Sequence, residues 1–211
     1  MIFLRTLPVL ALLLASCSVA PVLDLTPRKV LAPASKATRV AVRGNAVVKP
    51  QSLVEGPLLK APSGFLFFCS RNPGDCEGGS SQDVAWDAPM QQQVRVVNAS
   101  VNRSIRPQGD AFEEWSVGVE AGDCEDYVLT KRRQLIGAGL PSSSLRIAVA
   151  TTAKGEMHAV LVVKTSSGDF VLDNRNDRVL QPRETDLDWI MIASAEDPQI
   201  WHKVEQETVS L

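Results

Sequence analysis

The sequence predicts an α+β domain in which helices come first and a run of antiparallel strands follows. Three observations predict it. Val94, Val97, Val101 and Ile105 recur at three- and four-residue spacing, and Val128, Leu129, Leu135 and Ile136 form a second helical stripe. After Pro141 the chain changes to short runs rich in β-branched residues. With 211 residues, 45% of them hydrophobic, the chain can bury one sizeable core. A net charge of −2 and only 5% aromatic residues argue against a nucleic-acid binder that works by neutralising phosphates.

Residues 1–16 carry one Arg followed by an uncharged apolar run of roughly ten residues, half the ~20 a spanning helix needs. That is the pattern of an export signal. Its end, Leu14-Ala15-Ser16-Cys17, resembles the lipobox of bacterial lipoproteins, in which Cys17 would carry the lipid. An ordinary signal cut near Ala20 is the alternative, disfavoured by Pro21 directly after it. Either way the mature protein is expected to be exported, lipid-anchored in the first case. Residues 17–61 are proline-rich with little periodicity and read as an arm or tether, leaving residues 62–211 as the domain. No segment beyond the leader is long and apolar enough to span a bilayer.

Phe65-Leu66-Phe67-Phe68-Cys69 reads as a buried apolar run leading into a Pro73-Gly74 bend. The first helix runs from about Met90 to Ile105 and ends before Pro107. The second begins at Asp123, its cap, with Asp126 three residues on, and ends at Gly137 and Gly139. Strands are expected at 145–152, 158–165 and 169–174, separated by AKGE and SSG turns.

Export reshapes the cysteine arithmetic. With Cys17 lipidated or removed, three cysteines remain. Cys69 and Cys76 flank a short turn and form the natural disulfide, worth ~2–3 kcal/mol on the chain-entropy account. Cys124 is left over. It sits in the first turn of the second helix, where unsatisfied N–H groups favour thiolate and can receive an oxyanion. Thiol hydrolysis further needs an imidazole and a group to orient it. His158 opens an apolar strand, and Asp173 lies in the equally apolar VLDN of the next. A hairpin closed by Thr165–Gly168 would set Lys164 opposite Asp169 and put His158 and Asp173 on one face, a diagonal step apart. A loop one residue shorter would put them on opposite faces. Each residue also has a bland reading: a core cysteine, a structural histidine, an aspartate that starts a turn.

The stretch Gly122-Asp123-Cys124-Glu125-Asp126-Tyr127, followed by Lys131-Arg132 and Gly139, resembles the bacterial transglutaminase-like cysteine proteinase family. So do Glu156-Met157-His158-Ala159-Val160-Leu161 and Val171-Leu172-Asp173-Asn174, in the same order, with Val97-Asn98, Val101-Asn102 and Trp115 upstream. The likeness spans about residues 62–180. It implies a papain-like, transglutaminase-like core with N-terminal helices packed on an antiparallel β-sheet, Cys124 as nucleophile, His158 as base and Asp173 as the orienting acid. It also implies a periplasmic protease that releases a large adhesin-like surface protein, controlled by an inner-membrane cyclic-di-GMP receptor. An amidase or acyl-transferase of the same fold and a silent binding module are the other readings.

Asp123, Glu125 and Asp126 crowd the Cys124 thiol, and three carboxylates raise a thiol's pKa unless a cation offsets them. Hard oxygen donors suit Ca²⁺. The resemblance implies Asp123 and Glu125 as its ligands, with Asp126 a further candidate; the competing reading is that these acids cap the helix and meet its dipole. Gly74-Asp75-Cys76-Glu77 repeats GDCE, but the glycines after it cannot propagate a helix and Cys69 is near enough to bridge Cys76. Trp115 is expected to pack in the core, with lining the cleft or polarising the oxyanion as its other reading; Trp189 and Trp201 are expected to serve as core or cover, and His202 to lie on the surface.

Overall fold

The computed structural model describes residues 51–109 and 113–205. The leader, Cys17 and most of the arm lie outside the described residues. Among the described residues no helix is long and apolar enough to cross a membrane. The elements run β1 (Val54–Leu59), α1 (Ser63–Arg71), α2 (Ala88–Ser104), β2 (Arg106–Pro107), β3 (Ala121–Gly122), α3 (Cys124–Gly137), β4 (Leu145–Thr151), β5 (Met157–Thr165), β6 (Gly168–Asp173), β7 (Asn176–Leu180), β8 (Asp188–Ala193) and β9 (Trp201–Glu205). Seven strands form one sheet in the order β1-β9-β8-β4-β5-β6-β7, and every neighbouring pair is antiparallel. The architecture is the α+β arrangement read from the sequence.

The sheet is buried on both faces, which explains why its central strands are apolar almost without interruption. Period-two alternation sorts them. Ile147, Leu161 and Leu172 stand opposite one another on β4, β5 and β6, in the core they share with Phe65, Phe68, Val94, Val128 and Leu135 of the helices. Ala148, Val160, Val162 and Val171 join a second core, closed by Leu53, Leu187 and Val204.

α2 is capped by Asp87, whose carboxylate accepts from the Met90 N–H at 2.9 Å. α3 starts at Cys124 and stops before Gly139, whose φ of +94° only glycine adopts cheaply. Its buried face is wider than the predicted stripe. Lys131 and Arg132 are also buried, and Arg132 donates to the carbonyls of Leu145 and Asp75.

Two expectations for the N-terminal part are corrected. The domain reaches back beyond residue 62, because Val54–Leu59 forms the edge strand beside β9. Gly56 and Pro57 lie where that ladder's register shifts, and an edge bulge is where a sheet tolerates proline. The Phe65–Cys69 run is only half buried: it is helical, with Phe65, Phe68 and Cys69 inward and Phe67 exposed. His202 is likewise not a free surface residue. Its Nδ1 meets the Gly56 carbonyl at 3.0 Å and its Nε2 lies 3.4 Å from Glu55, tying β9 to β1.

Asp169 is a buried carboxylate on β6, 1% exposed, that accepts from the Leu53 N–H at 2.8 Å. Burial pushes it up to about 6, against the Leu53 hydrogen bond and the Arg146 charge. The folded chain therefore holds this proton to about pH 6, while the unfolded chain releases it near its ordinary value of 3.8. Stability falls as pH rises across that window, by up to ~3 kcal/mol. Asp169→Asn is expected to remove this slope, so its melting temperature should gain on the wild type between pH 4 and pH 7. A constant difference between the two proteins at both pH values would refute the assignment.

Candidate active site

Cys124, His158 and Asp173 come from three elements. α3 presents Cys124 at its first residue, β5 carries His158 near its start, and β6 ends on Asp173. The hairpin register is Lys164 opposite Asp169 and Leu161 opposite Leu172, which sets Asp173 across from Val160, a diagonal step from His158. His158 Nε2 lies 2.9 Å from Asp173 Oδ1. With Nε2 directed at the carboxylate, Nδ1 is the nitrogen left to accept a proton. His158 and Cys124 line one cavity of about 370 Å³ with Pro62, Trp115, Met157 and Met191. Trp115 is both buried and a wall of this cavity, its ring 5.3 Å from that of Phe65.

The thiol is hydrogen-bonded on two sides. Sγ donates to Glu125 Oε2 at 3.2 Å and accepts from the Ala159 N–H at 3.4 Å. Among the described residues none of its hydrogen bonds goes to the imidazole. Burial pushes the thiol up to about 12; the Ala159 N–H works against this, and the Glu125 and Asp123 charges add to it. Glu125 is itself pushed up to about 7, first by burial and next by its contact with Asp123. The cluster is over-supplied with negative charge.

Asp173 is in the opposite condition. Burial opposes its charge, but hydrogen bonds from His158 and Arg175 outweigh that and hold it well below the usual carboxylate range. Its turn is held from behind by α2. Asn98 Nδ2 donates to the Asn176 carbonyl at 3.0 Å, and Asn102 Nδ2, one turn on, donates to the Asp173 carbonyl at 3.0 Å.

A family model described as the bacterial transglutaminase-like cysteine proteinase, BTLCP, matches residues 55–209. The chain belongs to this family. It is a transglutaminase-like cysteine protease. No curated protein matches it. Similar solved structures include LapG of Legionella pneumophila in calcium-bound form, with 27% identity over 58% of this chain and 75% of that one and a TM-score of 0.49. The EGTA-treated form of LapG gives 25% identity over 57% and 70%, with a TM-score of 0.49.

The acidic residues of this cysteine protease divide into two kinds. Asp126 is committed to the helix cap: Oδ1 accepts from the Ser116 N–H at 2.8 Å and Oδ2 from the Asp123 N–H at 3.3 Å. Asp123 keeps Oδ1 buried without a partner, beside Glu125. An orphaned carboxylate oxygen next to a second, charge-crowded carboxyl fits a hard cation, so Asp123 and Glu125 suit one, while both Asp126 oxygens already accept a hydrogen bond. Among the described residues no group of three or more His, Cys, Asp or Glu side chains converges as a metal site, so further ligands would be carbonyls or water.

The second GDCE stretch forms a 3-10 turn over Pro73–Cys76, and Cys76 is bonded to Cys69. Asp75 in that turn is gripped by Arg133 of α3, with Nε 2.8 Å from Oδ1. The turn is thus tied to α3 by ion pairing and to α1 by the disulfide. Cys76→Ala is expected to cost ~2–3 kcal/mol and several degrees of melting temperature while leaving peptidase activity intact. A Cys76→Ala protein that is folded but inactive would overturn the assignment.

Reading the sequence alone did not single out Arg175, Glu125 as partner of the thiol, or the Ala159 N–H. Arg175 had one faint signal, its place in the Asp173–Asn176 turn that links β6 to β7.

Proposed function

We propose that this protein is an envelope endopeptidase that hydrolyses a peptide bond in a large adhesin-like surface protein through Cys124, His158 and Asp173. The observation that carries the reading is that His158, which shares the wall of one cavity with Cys124, is held from behind by Asp173 at 2.9 Å. In this mechanism the Cys124 side chain turns from Glu125 to His158. Nδ1 takes the thiol proton as sulfur bonds to the scissile carbonyl carbon. The oxygen that becomes negative lies near the start of α3, where the Cys124 N–H and the helix dipole stabilise it. The imidazolium then returns its proton to the departing amine. Water, deprotonated by the same nitrogen, frees the acid product and restores the thiol.

Asp123 and Glu125 are the residues that would hold Ca²⁺. Bound there, the ion would neutralise the carboxylates that now oppose thiolate formation and would occupy the oxygen to which Sγ–H donates. The leader supports export to the periplasm, with lipidation at Cys17. The adhesin-like substrate and the inner-membrane cyclic-di-GMP receptor as partner rest on the family resemblance.

The test is incubation of the purified mature protein with N-terminal fragments of large surface adhesins, with and without EGTA. Discrete products that disappear with Cys124→Ala and with chelator support both parts. Cleavage insensitive to EGTA removes the metal and leaves the protease. Iodoacetamide at neutral pH with Ca²⁺ present separates enzyme from binding module: a Cys124 that then alkylates no faster than free cysteine rules the peptidase out.

A further inference from the structure

Asp173 has a second partner besides His158. The Arg175 N–H donates to Oδ1 at 2.8 Å, and the guanidinium grips Oδ2 through Nε at 3.0 Å and Nη2 at 2.8 Å. Nε also reaches Oδ1 at 3.3 Å. The same guanidinium is held on its far side by Asp186, in the segment between β7 and β8, with Nη2 2.7 Å from Oδ1 and Nη1 3.1 Å from Oδ2. Three groups, Asp186, Arg175 and Asp173, therefore form a continuous chain that ends on the His158 ring.

From this chain of contacts we infer that Arg175 is a positioning residue for the active site, fixing the Asp173 carboxylate so that Oδ1 faces His158 Nε2, with Asp186 anchoring Arg175 in turn. The inference rests on the peptidase reading above. A carboxylate at the end of a strand can rotate about its χ2, and a single bond to the imidazole does not stop it. The planar fork of an arginine does, because two parallel N–H groups fix both the position and the plane of the acceptor. The fork also draws charge from Asp173, so the proton shared with Nε2 stays on the ring. The ring then keeps the tautomer in which Nδ1 is the acceptor for the thiol. Lysine supplies a point charge without the fork and should replace arginine only in part.

Alkylation of Cys124 by iodoacetamide with Ca²⁺ present, followed by mass spectrometry of the Cys124 peptide in the full chain, reads the thiol–imidazole pair without a known substrate. Arg175→Gln is expected to slow it on the order of 10- to 100-fold, the range seen when an outer partner of a functional side chain is lost. Arg175→Lys should recover part of the rate, and Asp186→Asn should slow it less than Arg175→Gln does. The decisive comparison is made with Asp173→Ala. If Arg175 acts through Asp173, adding Arg175→Gln to that variant changes the rate by less than about 2-fold. Far-UV circular dichroism checks each fold, and should Arg175→Gln fail to fold, Asp186→Asn and Arg175→Lys carry the same comparison. An unchanged rate in folded Arg175→Gln overturns the inference, as does an equal loss with and without Asp173. Neither outcome touches the peptidase reading, which fails instead if wild-type Cys124 alkylates like free cysteine.

Discussion

Cys124→Ala is expected to lose at least ~10⁴-fold of peptide hydrolysis while remaining folded. The side chain stands in the first turn of α3 at intermediate exposure, so alanine opens little buried volume and is the better helix former. Its removal costs the Ala159 N–H one sulfur acceptor at 3.4 Å, a weak contact. It also relieves Glu125 and Asp123 of a neighbour they disfavour in its charged form. The melting temperature should therefore move by no more than a few degrees while product formation vanishes. Cys124→Ser gives the sharper result. A hydroxyl is far harder to deprotonate than a thiol, and here it would stand among the same carboxylates, so serine is expected to be almost as inactive as alanine. Gel and mass-spectrometric analysis of the adhesin fragments, beside thermal melts of each variant, checks both statements. Substantial cleavage by folded Cys124→Ala would mean that the sulfur is not the nucleophile.

What the sequence revealed and what it hid follow one physical rule. Elements whose burial follows a single period were readable. Val94 and Val101 mark α2, Val128 and Leu135 mark α3, and the β-branched runs mark β4 to β6. The same parity argument anticipated the hairpin register that brings His158 and Asp173 together. Elements at the margins were hidden. In β1, Gly56 and Pro57 break the alternation where the ladder's register shifts. β7 is a short edge strand with no fully buried residue, so NDRVL carries no inward stripe. In α1 the run of apolar residues conceals that Phe67 faces solvent. Lys131 and Arg132 reverse the usual code, being charged residues inside the helix's packed face, and only the fold shows the carbonyls that Arg132 finds. At the candidate site the three residues that the proposed mechanism uses were legible, because Cys, His and Asp stood in settings that did not suit them. Their supports were not. Arg175 and Asp186 come from a turn and a loop, where no periodicity ties a residue to its partner.

The second large effect is expected from Asp173→Ala, with kcat falling on the order of 10²–10⁴-fold and KM little changed. In the proposed mechanism the carboxylate acts through His158, 2.9 Å away. Without it the ring loses the 2.9 Å contact at Nε2, and either nitrogen of a neutral imidazole can then carry the hydrogen. The fraction of molecules presenting an unprotonated Nδ1 to the thiol drops, and the imidazolium formed during attack loses its nearest counter-charge. A structural cost accompanies the kinetic one. Arg175 keeps Asp186 but loses its contacts with the Asp173 carboxylate, and the lowered pKa of Asp173 means that the folded state favours its ionised form. The sign is fixed. A carboxylate held below its unfolded value contributes stability that is complete above about pH 4 and disappears as pH falls through the folded value. Wild type and Asp173→Ala should thus differ most in melting temperature near neutrality and converge in acid. Asp173→Asn keeps the shape but offers one acceptor where His158 and Arg175 each require one. Whichever way the amide turns, its NH₂ group meets a donor, either the guanidinium or the His158 and Arg175 N–H groups at the Oδ1 position, and the charge that steadies the imidazolium is gone in both. Asparagine should therefore be nearly as inactive as alanine, although more stable. An Asp173→Asn enzyme with near wild-type kcat would show that the carboxylate's charge is dispensable and that His158 is oriented by something else.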